Sequence, residues 1–117
     1  VNDLGNVHQQ LGNFADAERY LRQSVRLHLD RYGDRSLMTM GAKASLGDVL
    51  EVRGKRAEAE PLLLEAEEAL RTRPMPGFGQ VFGGIALAAL VRLYEAQERP
   101  DEAAKYRARL DSVRSRR

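Results

Sequence analysis

At 117 residues and a formal net charge of +2, the chain suits one compact unit able to bury a core without disulfide or metal staples. Hydrophobic residues at 43% and charged residues at 31% exclude an intrinsically disordered chain. The absence of cysteine excludes disulfide scaffolds, thiolate zinc sites and thiol catalysis and fits a cytoplasmic protein.

In chain order, the first strong element is a helix: Phe14, Ala17, Leu21, Val25 and Leu29 recur at helical spacing, with Asp16, Arg19, Arg22 and Arg26 elsewhere on the wheel. Gly12 is predicted to end a helix before it, and Gly33 to end the long helix itself. Asp34 or Ser36 then caps the next helix, which closes at Gly54. The helix after Gly54 carries Pro61 early, where one lost backbone hydrogen bond is tolerable. The stretch "PMPGFGQVFGG", residues 74 to 84, follows. Its prolines stop one helix and its glycines allow a turn, so the next helix is expected to start between Gly77 and Val81. The nearly apolar run Val81 to Tyr94 falls short of the roughly 20 residues that span a bilayer, and no membrane segment or signal peptide is read. Pro100 fits the first position of the last helix, with Asp101 and Glu102 set against its dipole.

These elements repeat. Shifted by 42 residues, "LGNVHQQLGNFADAERYL" falls on "LGDVLEVRGKRAEAEPLL" with eight of eighteen positions identical: Leu4/Leu46, Gly5/Gly47, Val7/Val49, Gly12/Gly54, Ala15/Ala57, Ala17/Ala59, Glu18/Glu60 and Leu21/Leu63. Ordinary composition gives roughly one chance match over that length. A weaker third copy, "LVRLYEAQERPDEAAKYRARL", lies 44 residues further on, with the two extra residues in the segment between copies. Gly5 or Gly47 on one helix and Ala17, Ala59 or Ala103 on the next allow close antiparallel backbones.

At these residues the chain resembles the tetratricopeptide repeat family. The family pattern is met in part: Leu-Gly stands early in the first helix of the first two copies, with Leu90-Val91 in the third, and is followed three residues later by His8, Leu50 or Tyr94, while the small residue of the second helix is followed by Tyr20, Leu62 or Tyr106; the family's Trp is absent from all three copies. The 42-residue spacing and the phrase "AEAEPLLLEA" are similar to the long-repeat subclass typified by kinesin light chain. HEAT and armadillo units have similar lengths, but lack the Leu-Gly and alanine pattern. The resemblance implies an all-α, right-handed superhelical array of three antiparallel helix pairs in one domain. Repeats are expected at about 1–33, 34–73 and 77–117, with a linker at about 74–79. The valine at position 1 predicts a piece of a longer polypeptide.

Chemistry finds little support in the residues. Counting from Gly77, a dinucleotide-binding fingerprint fails at Phe82, and the kinase-like tail Phe78-Gly79-Gln80-Val81 lacks both the leading glycines and every other kinase motif. Ser24 with His28 lacks an oxyanion donor, and neither His28 nor His8 has metal-ligand company on its face. Glu65, Glu67 and Glu68 read as a solvated face, Glu67 pairing with Arg71 four residues on. No catalytic residue, metal site or cofactor is expected. The basic end, Lys105, Arg107, Arg109, Arg114, Arg116 and Arg117 against Asp111, lacks interleaved stacking aromatics and so argues against nucleic-acid binding.

The resemblance places function on a concave surface lined by the first helix of each unit, holding a segment of a partner protein. The matching positions are Asn2, Asn6, Gln9 and Gln10 in the first copy, Ala44, Ser45, Asp48 and Glu51 in the second, and Ala88, Arg92 and Glu95 in the third. The lysine and arginine clamp for a terminal carboxylate is missing, which argues against an Hsp90-like tail. Asp48, Glu51 and Glu95 predict a mildly acidic groove for a neutral or basic peptide. The reading is a non-enzymatic interaction scaffold; its rival is a regulatory appendage of a larger kinase or transcriptional regulator with its activity N-terminal to this segment. The apolar third repeat is a candidate surface for self-association.

Overall fold

The structure, a computed structural model, describes residues 3–73 and 75–115, with side chains described from Asn13 onward. Among these residues the chain is all helical: α1 (Asp3–Tyr32), α2 (Leu37–Val52), α3 (Arg56–Thr72), α4 (Phe78–Ala96) and α5 (Pro100–Arg114). α2 with α3 and α4 with α5 form two hairpins, and α1 packs along α2.

The helix ends follow local chemistry. α1 stops where Gly33 turns left-handed at φ 87°, its N–H still donating to the Leu29 carbonyl at 2.9 Å. Ser36 caps α2, its Oγ accepting from the Met38 N–H at 3.1 Å, and the buried Thr39 hydroxyl donates to the Gly33 carbonyl at 2.8 Å. The two hairpin turns are built alike, 44 residues apart. The Lys55 N–H donates to Leu50 O at 2.8 Å as the Arg99 N–H does to Tyr94 O at 2.9 Å. Gly54 at φ 79° and Glu98 at φ 56° take the same left-handed position. The connection before α4 ends at Gly77, two residues short of the expected linker, because Gly77 at φ 84° already caps α4.

Gly12 does not end a helix: α1 runs unbroken through it, so the first copy is one long helix rather than a pair. A glycine inside a helix costs about 1 kcal/mol relative to alanine. Turning there breaks several backbone hydrogen bonds at about 1 kcal/mol each, and is favoured only when the returning segment buries an apolar face.

The core sits between the hairpins. Leu50, Leu63, Leu90 and Leu93 are fully buried, worth roughly 2–3 kcal/mol each. Position 47 must be glycine-sized, since an added Cβ would stand 2.6 Å from Leu63 Cγ. Gly41 likewise seats the rings of Phe78 and Phe82, which pack on each other at 4.6 Å. α4 lies against α2, α3 and α5 together, so the apolarity that suggested self-association is used inside the chain. Tyr94 is buried, its hydroxyl donating to Glu60 Oε2 at 2.7 Å and its ring stacked on Tyr106 at 5.6 Å.

Candidate functional site

α2 and α4 lie side by side, and the expected groove positions follow their shared face. Asp48, Ala88 and Arg92 come together in one open hollow of about 570 Å³, with Val81 and Ile85 of α4 and Val113 of α5. Val81 presents an exposed apolar side chain to it. Ser45 lies half-buried along α2, and Glu95 is exposed at the far end of α4. Two expected positions are not available: Ala44 is fully buried, and Glu51 is only 6% exposed beneath Arg92. Asn2 lies outside the described residues, and the side chains of Asn6, Gln9 and Gln10 lie outside those described.

The electrostatics differ from the expected acidic groove. The Arg92 guanidinium donates to Glu51 Oε1 at 2.7 Å and also to Asp48 Oδ1. Although burial alone would lower its pKa, these carboxylates raise it, so Arg92 stays charged. Glu95 is taken by Arg107. The carboxylates of the groove are therefore paired. This pairing is not legible in the sequence, because each cation arrives from another element.

A second cleft, about 400 Å³, lies where the end of α3, the connection and the ends of α4 and α5 meet. Gly79 and Gly83 leave its floor open against Leu70, and Met75 flanks it. At its wall Glu67 is only 4% exposed, accepting from Arg71 Nε at 3.0 Å and from Arg109 at 3.1 Å. The expected solvated pair is thus a buried carboxylate joining α3 to α5.

Other candidates for chemistry are occupied structurally. His28 Nδ1 lies 2.7 Å from the Ser24 carbonyl, so it carries the proton and donates there rather than accepting from the Ser24 hydroxyl. Within "PMPGFGQVFGG" the Gly79 and Val81 amides donate to Met75 O and Gly77 O. Glu65 pairs with Lys43 at 2.8 Å. Among the described residues no three His, Asp or Glu side chains converge as metal ligands, and no helix is long and apolar enough to cross a membrane.

Comparison with known families settles what this architecture is. A tetratricopeptide repeat model matches residues 1–72, and a second one matches residues 86–117. The chain belongs to the tetratricopeptide repeat family. No curated protein and no solved structure matches it. Tetratricopeptide repeats generally bind protein partners and are typically non-catalytic scaffolds. In this tetratricopeptide repeat chain the small positions that recur between copies make the contacts already described, with Gly47 against Leu63 and the Ala59 carbonyl. Among its described residues, two open hollows are the one between α2 and α4 and the cleft beside the connection.

Proposed function

We propose that the chain is a non-enzymatic interaction module of the long-repeat, kinesin-light-chain-like type, working in the cytoplasm and holding a partner's peptide segment along α2 and α4. Support for the long repeat comes from the turn bonds spaced 44 residues apart and from Pro61 accommodated inside α3. The observation that carries the binding site is the hollow that unites Asp48, Ala88 and Arg92 with the apolar Val81 and Ile85. An apolar stripe ended by a fixed, paired charge cluster suits a segment with one or two apolar anchors. With Asp48, Glu51 and Glu95 paired, a neutral segment fits better than a strongly basic one.

The test is a peptide-display selection on the chain, followed by affinity measurement on Ala88→Arg. Ala88 is half-buried at the hollow, and a long cation there blocks the apolar stripe. The selected peptides should lose affinity about tenfold or more, at least 1.4 kcal/mol, with the helical circular dichroism unchanged. Equal binding by the variant refutes the placement on this face.

A further inference from the structure

Two glycines of α4 are not required by the packing of the chain on itself. Gly79 and Gly83 stand one turn apart on the floor of the cleft beside the connection. An added Cβ would meet Leu70 O at 3.6 Å and Leu70 Cβ at 3.8 Å, ordinary van der Waals distances, whereas at Gly47 it would collide with Leu63 at 2.6 Å. Glycine inside a helix is less stable than alanine. What this pair provides in exchange is room.

The wall of that room carries an excess of positive charge. Among the described residues α3 and α5 do not pack on each other; Glu67 spans the gap, one carboxylate oxygen accepting from Arg71 Nε at 3.0 Å and the other from Arg109 at 3.1 Å. One buried carboxylate therefore meets two guanidiniums, and the lining keeps a net single positive charge. Arg109 is held in place over the Tyr106 ring at 5.2 Å. Both cations still reach solvent, with side chains 46% exposed at Arg71 and 32% at Arg109. Each guanidinium has five N–H donors, of which Glu67 engages one nitrogen's. The facing surfaces, Leu70, Leu87 and Val113, are apolar.

We propose that this cleft binds a small monocarboxylic acid with an apolar body. The body lies over Gly79 and Gly83 against Leu70, Leu87 and Val113, and the carboxylate accepts from the remaining N–H groups of Arg71 and Arg109, a charge-assisted contact. At about 400 Å³ the cleft falls in the range of small-molecule sites, roughly 300–1,000 Å³. It is also short. α3 lines it from Glu67 to Arg71 and α5 from Arg109 to Val113, each roughly 6 Å of helix, which suits a compact molecule rather than an extended segment. Gln80 and Val113 line both this cleft and the α2–α4 hollow and so stand between them, and the proposal does not depend on peptide binding in the hollow.

Octanoate is the probe, titrated calorimetrically into the intact chain, with acetate and octan-1-ol carrying the charge and the apolar body separately. Octanoate should bind saturably, one per chain, and about tenfold or more tightly than either control. Gln80→Glu is isosteric, exposed and favourable in the first turn of α4, yet it cancels the positive excess; it should weaken octanoate about threefold with helix content retained. Gln80→Lys should strengthen it. Gly79→Leu fills the floor and should abolish binding, while Ala88→Arg, in the other hollow, should leave it unchanged. No saturable octanoate binding, octan-1-ol bound as tightly as octanoate, or an affinity indifferent to the charge at position 80 each overturns the proposal. Tighter binding of the tripeptide Gly-Gly-Leu than of octanoate would give the cleft to a chain terminus and overturn it equally.

Discussion

Glu98 is the residue that departs furthest from what its position asks. It stands at φ 56° where the preceding hairpin has Gly54 at φ 79°, and a side chain in the left-handed region costs roughly 1–2 kcal/mol. Glu98→Gly should therefore stabilise the protein by about 1 kcal/mol in urea unfolding, the glycine giving back part of the gain through chain entropy. Gly54→Ala should cost about the same. A Glu98→Gly variant that unfolds more readily would show that the turn is not strained. The first turn was legible because glycine announces a left-handed residue. The second was not, since Glu98 becomes readable only once the 44-residue phase is known.

At the scale of the helix, close approach is set by missing side chains. Gly47→Val would drive methyl groups into Leu63, whose Cγ and Cδ2 already lie 2.6 Å from a Cβ at that site, and overpacking of this kind costs about 1–3 kcal/mol. Gly84→Ala, where an added Cβ meets nothing within 4 Å, should be neutral or gain up to about 1 kcal/mol from helix propensity. Equal melting temperatures for the two variants would contradict the packing described for α2 and α3. The ends of α2 to α5 were readable from Ser36, Gly54 and Pro100, because each acts through neighbours in sequence. Gly12 misled for the complementary reason: a glycine permits a turn, but whether the turn forms depends on what the returning segment can bury.

In the whole molecule, carboxylates on one unit are held by cations from the next. Glu18 of α1, 6% exposed, accepts from Arg53 at 2.7 Å and Lys55 at 3.0 Å across the gap to the α2–α3 turn, and from Arg22 on its own helix. Glu60 repeats the contact more loosely, with Arg99 at 3.8 Å. Burial by itself would raise the Glu18 pKa, but the hydrogen bonds from Lys55 and Arg22 bring it down to about 2. A depressed folded pKa contributes stability above the ordinary carboxylate range and loses it as the pH falls toward 2. The loss is on the order of 2 kcal/mol. Glu18→Gln should flatten that acid limb of the stability curve; an unchanged slope between about pH 4.5 and 2 would exclude Glu18 as its source.

The same distances explain which parts of the site stayed hidden. The repeat puts Asp48, Ala88 and Arg92 at matching positions, and all three line one hollow. Its charge was not, because Asp48 and Glu51 look free until α4 brings Arg92 to them.

α4 begins at Phe78 with 19 residues where α2 has 16. That additional turn, opened by Gly77, supplies Gly79 to the floor of the cleft beside the connection. A strictly periodic array offers an identical surface at every step, so a ligand reading only the period has no unique address. Among the described residues the extra turn breaks that translational symmetry once, and so marks this cleft apart from the repeated surface.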